Sequence, residues 1–180
     1  MGSKQVIVVR KDIDMSPGKM GGQCAHAAMG VFFDWMKQFS VDIPLNNNEF
    51  IRQYSISVYS ESPEFDYIEG SFTKVIVEVE NEEELLELYN KASDMGFLTS
   101  IITDAARTEF TEPTTTCICI GPISDEDCVG LTDHLKLYKD DKANQLRSYE
   151  KLLRRIKQTK SVDEIHNIIS EYEQKKGKVI

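Results

Sequence analysis

The chain has 180 residues, about one domain with room for a modest appendage, and its 41% hydrophobic and 28% charged residues place it among chains that bury a core. Twenty-one basic against thirty acidic residues leave a net charge of −9, which argues against a general nucleic-acid coat, since affinity for a phosphate backbone comes largely from lysine and arginine. Four cysteines (Cys24, Cys117, Cys119, Cys128) are too few for a disulfide framework, and with no hydrophobic leader and no run near the ~20 apolar residues of a membrane span, a soluble cytoplasmic protein is expected.

In chain order, the β-branched run from Lys4 to Arg10 predicts a buried strand, and Ser16-Pro17-Gly18 punctuates it. From Lys19 to about Phe39 the residues Met20, Cys24, Ala27, Ala28, Val31, Phe32 and Trp35 recur at helical spacing. Residues 41–71 read as a long polar excursion, with Asn46-Asn47-Asn48 and Ser60-Glu61-Ser62-Pro63 as breakers and a short strand where Tyr54, Ile56 and Val58 alternate. Phe72–Glu80 predicts a second strand, and Asn81 with Glu84 caps a helix that Gly96 ends. Phe97–Ile102 reads as a third strand, residues 104–113 as a loop, and Thr116–Ile120 as a fourth strand closed by Gly121-Pro122; Ser124 with Asp127 then caps another helix. This alternation predicts an α/β layer fold with a mostly parallel sheet. Beyond Tyr138 the chain turns charged and amphipathic, with one helix over Asn144–Gln158 and another capped by Ser161 with Glu164.

Two clusters carry candidate chemistry. Lys19, Gln23 and His26 stand at i, i+4 and i+7 on one helix face, with Lys19 at a helix start, where free N–H groups and the macrodipole favour an anion. A solvated lysine and a hydrogen-bonded core histidine are the plainer reading. Asp104-Ala105-Ala106-Arg107-Thr108 follows the third strand, where open α/β sheets place ligands; Arg107 suits phosphate and Asp104 suits a water proton, against the plain alternative of a capping aspartate in a surface ion pair. If the first and third strands are parallel neighbours, the clusters converge. Cys117 and Cys119 read as core packing, and Cys24 and His26 point about 200° apart on a helix and form no nucleophile pair. No metal and no cofactor is expected.

The stretches Val8-Val9-Arg10-Lys11-Asp12, Met15-Ser16-Pro17-Gly18-Lys19 and Gln23-Cys24-Ala25-His26-Ala27-Ala28 resemble the start of the archaeal and eukaryotic class of peptidyl-tRNA hydrolase. Asp104-Ala105-Ala106-Arg107-Thr108-Glu109, Thr116, Gly121-Pro122 and His134-Leu135-Lys136-Leu137-Tyr138 resemble its closing half. The resemblance implies a three-layer α/β/α domain with a four-stranded mixed sheet, commonly dimeric, that hydrolyses the ester between a peptide and the 3′ ribose of tRNA. The family's functional lysine, glutamine, aspartate and threonine fall on Lys19, Gln23, Asp104 and Thr108, and a further threonine on Thr116. On this reading Asp104 takes a water, oriented with Thr108, while Lys19, the helix start and Gln23 take the oxyanion or terminal phosphate. His26, Arg107 and Thr116 are expected to contact the substrate, with support of Asp104 as the other role for His26.

The sequence departs from the family pattern at Ala106, where a glycine is usual, and at Gly21-Gly22, where alanines are usual. Residues 1–138 are expected to form the hydrolase domain, with 41–71 as a long insertion, and 139–180 a helical extension whose partner is open. Alternatives are a non-catalytic tRNA- or protein-binding descendant and an enzyme acting on another acyl-tRNA ester. The charge splits into −13 for residues 1–138, with 10 basic and 23 acidic, and +4 for 139–180, with 11 basic and 7 acidic.

Overall fold

The structure, a computed structural model, describes residues 2–46, 48–139, 141–159 and 162–176; Asn47 of the expected breaker and the Ser161 cap lie outside them. Its elements are β1 (Ser3–Arg10), α1 (Pro17–Gln38), β2 (Val41–Pro44), β3 (Phe50–Gln53), α2 (Pro63–Glu69), β4 (Lys74–Val79), α3 (Glu82–Asp94), β5 (Thr99–Asp104), β6 (Thr114–Ser124), β7 (Lys136–Leu137), α4 (Asp141–Gln158) and α5 (Val162–Lys176). They fall into two compact units, residues 1–138 and 139–180. No described helix is long and apolar enough to cross a membrane.

In the first unit β1 occupies the middle of a sheet of order β5-β6-β1-β4-β7, and both faces of β1 are buried, which is why its sequence runs apolar without alternation. Ile7 and Val9 face α1, packing with Cys24, Ala27, Ala28, Val31, Cys117 and Cys119. Val6 and Val8 face the opposite way, toward Leu85, Leu88 and Ala92 of α3 and toward Cys128 and Leu131. The three layers are those the family resemblance implies.

Two details of the sheet differ from expectation. It has five strands rather than four, because the two-residue β7 adds an edge beside β4. Only β1 and β4 pair in parallel; β6 doubles back after the loop 105–113 and inserts antiparallel between β5 and β1. Strand β6 also runs on to Ser124 through a cis Gly121–Pro122 bond. The helix expected after Ser124 is instead a series of turns. Ser124 Oγ accepts from Asp127 N–H as a cap should, but Gly130 takes a left-handed φ of 74° and halts propagation.

Helix α1 starts where Ser16 caps it, its hydroxyl accepting from the Lys19 N–H, and Pro17 fits the first turn. Small residues let it lie close on β5: a Cβ on Gly30 would stand 3.2 Å from Ser100 Cβ, and Ser100 Oγ donates to the Ala27 carbonyl at 2.7 Å. This close seat fixes the height of the helix over the sheet.

The excursion at 41–71 is structured differently from its reading. Residues 54–58 join no strand; the strands are β2 and β3, paired only with each other, and Ser62-Pro63 starts α2 rather than breaking the chain. Tyr67 of α2 is 3% exposed and stacks on Phe32 with ring centroids 6.0 Å apart. Its hydroxyl donates to Gln5 Oε1 at 2.8 Å and accepts from Lys74 Nζ at 2.7 Å, while Gln5 Nε2 donates to the Ala28 carbonyl at 2.9 Å. The excursion is thereby tied, through Tyr67, into the core beneath α1.

In the second unit α4 and α5 pair through Tyr149 and Tyr172, with centroids 5.6 Å apart, and an ion pair of Arg155 with Glu171 at 3.0 Å.

Removing the Tyr67 hydroxyl strands a wholly buried Gln5 oxygen, so Tyr67→Phe should lower unfolding free energy by about 1–3 kcal/mol, measured by urea denaturation. An unchanged midpoint would contradict a structural role for α2.

Candidate active site

Strands β1 and β5 are not neighbours, but both run antiparallel to the intervening β6, so their carboxyl ends lie at the same edge of the sheet. The first turns of α1 stand over that edge. Asp104 is the last residue of β5, in register with Thr114 of β6. Lys19 and Gln23, one helical turn apart, reach it from above.

Asp104 gathers the site. Its Oδ2 accepts from Lys19 Nζ in a close ion pair and from Gln23 Nε2 at 2.9 Å, and its Oδ1 accepts from the Ala106 N–H at 2.9 Å. The Lys19 ammonium also donates to Thr108 Oγ1 at 3.0 Å and lies 5.3 Å from the centre of the Phe110 ring. Beneath them Thr116, wholly buried, donates to Gln23 Oε1 at 3.0 Å, which leaves the amide nitrogen of Gln23 to face Asp104. The Lys19 ammonium, with the Ala106 and Gln23 donors, holds the Asp104 carboxyl below its ordinary range, so it is ionised at neutral pH.

The expected anion site at the start of α1 is filled from within the chain. Pro17 has no N–H, the Lys19 N–H is bonded to Ser16 Oγ, and Ser16 in turn donates its backbone N–H at 2.9 Å and its hydroxyl to the Glu109 carboxylate. These bonds hold the Glu109 carboxyl below its usual range and tie loop 105–113 to α1. What is left for a substrate anion at this helix start is the side chain of Lys19 and the Gly18 N–H, since the Met20 N–H is bonded to the Ser16 carbonyl.

Of the predicted residues, Lys19, Gln23, Asp104, Thr108 and Thr116 meet in one network. Arg107 is exposed on the same loop, and His26 is exposed on α1, about 10 Å along the axis from Lys19. The described partners of Asp104 do not include His26. The cysteines stay in the core, with burial pushing the Cys117 thiol up to about 12 and raising that of Cys24. Neither is poised as a thiolate nucleophile.

Three further residues at this edge stand in the family-like stretches without an expected role in the site. Ser16 and Glu109 form the clamp just described. Arg10, at the end of β1 and 8% exposed, donates to Asp12 at 2.8 and 3.0 Å, to Glu82 at 2.9 Å and to the Thr115 carbonyl at 2.9 Å. It pins the start of β6 next to Thr116. Apart from Asp12, two residues from Arg10, these partners lie in distant segments, so spacing along one element does not reveal them.

A three-layer α/β/α domain with an ionised carboxylate, an ammonium, a carboxamide and a hydroxyl at one sheet edge is of the class that performs polar acyl or phosphoryl chemistry at strand ends. The profile of the family described as "Peptidyl-tRNA hydrolase PTH2" matches residues 3–138, and the chain belongs to that family. It is 37% identical over 134 residues to a peptidyl-tRNA hydrolase of Methanocaldococcus jannaschii, covering 74% of this chain and 98% of the relative. It is 36% identical over 137 residues to one of Thermococcus onnurineus, covering 74% and 96%. A probable peptidyl-tRNA hydrolase 2 of Dictyostelium discoideum is 28% identical over 135 residues, covering 75% of this chain and 54% of that protein.

Ala106 sits in the left-handed region, with φ 57°, because its N–H turns back onto Asp104. The loop therefore demands the conformation a glycine supplies freely and imposes it on a residue with a Cβ. Ala106→Gly should raise unfolding free energy by about 1 kcal/mol, read from the urea midpoint; a lower midpoint would contradict strain at this position.

Proposed function

We propose that this chain hydrolyses the ester joining a peptide to the 3′ ribose of tRNA, releasing the peptide and free tRNA. The observation that carries the reading is the convergence of Lys19, Gln23 and Thr108 on the single carboxylate of Asp104, in a chain of this family. Ester hydrolysis needs a positioned water, an acceptor for its proton and a donor for the oxyanion. Asp104 takes the water's proton as the water oxygen attacks the ester carbon, and the Thr108 hydroxyl orients that water. Lys19 donates to the oxyanion of the tetrahedral intermediate. When the intermediate collapses, the departing 3′ oxygen receives the proton held by Asp104, so tRNA leaves with a free hydroxyl and the peptide as a carboxylic acid that ionises in water.

Thr116, being buried, acts through Gln23 as a positioning residue. Arg107 and His26, both exposed near this edge and along α1, are assigned to the acceptor end of the tRNA. Residues 1–138 constitute the hydrolytic domain and 139–180 an extension whose net charge of +4 suits supplementary phosphate contact. The reading includes a homodimer and a reducing compartment such as the cytoplasm, where four free cysteines persist.

Asp104→Asn should lower kcat by about 10²–10⁴-fold while tRNA binding changes little. In the wild type the active form is the carboxylate, whose protonation lies below the usual aspartate range. Lowering the pH from about 8 to about 5 therefore should not reduce the rate through this group. Full turnover by the asparagine variant on a defined peptidyl-tRNA, or an acid limb near pH 6 that this substitution removes, would overturn the assignment. Deleting residues 142–180 should flatten the salt dependence of tRNA binding, and an unchanged slope would remove the extension from the substrate path.

A further inference from the structure

Strand β5 closes one side of the five-stranded sheet and pairs only with β6. Two bonds identify its inward backbone groups: the Leu98 carbonyl accepts from the Gly121 N–H at 2.8 Å and the Ile102 carbonyl from Thr116 Oγ1 at 3.3 Å. Backbone groups alternate in direction along a strand, so Thr99, Ile101 and Thr103 turn their N–H and carbonyl groups away from β6. The register shift in this pair falls on β6, where Thr116 is the extra residue, and β5 keeps its alternation as far as Asp104. Among the described residues, none bonds to the outward groups. A sheet ordinarily guards such an edge with a short strand, a lysine, a proline or a covering element. The opposite edge is guarded in this way, since β7 is two residues long and includes Lys136. Residues 99–103 of β5 read Thr-Ser-Ile-Ile-Thr and carry neither charge nor proline.

We infer that the peptide of the substrate adds to this edge as a further strand, with its ester at Asp104. The inference rests on the hydrolase reading and names where the peptide lies. Continuity with the site selects the occupant. Ser100, Ile102 and Asp104 turn their side chains toward α1, so the carboxylate stands at the end of the open edge, on the side from which Lys19 and Gln23 reach it. The ester is at the carboxyl end of the peptide, and β5 also runs toward Asp104, so the added strand is parallel to β5 and recedes from Asp104 toward Thr99. Five steps of about 3.3 Å separate those two residues, a length of about 17 Å that takes about five peptide residues. Main-chain pairing suits such a ligand. A hydrolase of peptidyl esters meets peptides of every sequence, and backbone N–H and carbonyl groups are what all of them share. An aminoacyl ester has no further peptide group to pair, so the edge favours peptidyl over aminoacyl esters.

The test is kcat/KM of the full chain on tRNA esterified with N-acetylated peptides of one to about seven residues, and with pentapeptides N-methylated at one residue at a time. The value should rise with length to about five residues and then level off. N-methylation should lower it about 3- to 10-fold, chiefly through KM, at every second residue and leave it unchanged at those between, because only alternate N–H groups of an added strand face β5. Thr99→Pro removes one outward N–H at the end of the edge remote from Asp104, where a strand tolerates proline. It should cost about 3- to 10-fold on the pentapeptide and nothing on the one-residue ester. A kcat/KM independent of length, or N-methyl losses without alternation, would overturn the edge and leave the hydrolase reading standing. No turnover of any of these esters would overturn both. Self-association that Thr99→Pro abolishes would give the edge to a second copy of the chain and sink the inference. Should the proline variant fail to fold, the N-methyl series, run on the unaltered chain, still decides.

Discussion

Lys19 stands on the first turn of α1 and Asp104 at the last residue of β5, 85 positions later, and the ion pair between them joins the helix start to the strand end. Both side chains are largely covered, each about 11% exposed, so water supports either charge only in part and each leans on the other and on neighbouring dipoles. Gln23 and the Ala106 N–H supply those dipoles to the carboxylate, and Thr108 and the Phe110 ring face the ammonium. Removing either charge leaves the other buried and unpaired. The site is a single electrostatic unit for that reason, and its parts are expected to act together rather than in sum.

The rest of the fold holds that unit in register. Gly30 and the Ser100 hydroxyl set the distance of α1 from β5, and Thr116 fixes which end of the Gln23 amide meets the carboxylate. Ser16 and Glu109 tie the loop to the helix start, and Arg10 holds the beginning of β6 through the Thr115 carbonyl. Beneath α1, the chain Ala28–Gln5–Tyr67 anchors the helix to the sheet and to α2. The left-handed Ala106 is the local cost of turning the loop so that its N–H meets Asp104.

Much of this was legible from residue order. Strands β1, β4 and β5 and helices α1 and α3 follow from β-branched runs, helical periodicity and the Asn81 cap, because their signals are local. The same is true of the polar set on α1 and of the loop after β5. The sheet order was not legible: nothing in the composition of Thr114–Ser124 tells a strand that returns antiparallel from one that continues a βαβ run. The hairpin and α2 escaped because Ser62-Pro63 serves equally as a breaker and as a helix start, and only the burial of Tyr67 decides between them. The roles of Glu109 and Arg10 escaped because Ser16, Glu82 and the Thr115 carbonyl are distant from them in sequence.

The central claim is that Lys19 and Asp104 work as one unit, and a double-mutant cycle in kcat/KM for peptidyl-tRNA hydrolysis tests it most directly. With Lys19→Met and Asp104→Asn, alone and combined, the double variant should be little slower than the worse of the two single variants. Losses that multiply independently would mean that the two groups act separately, and would contradict the account.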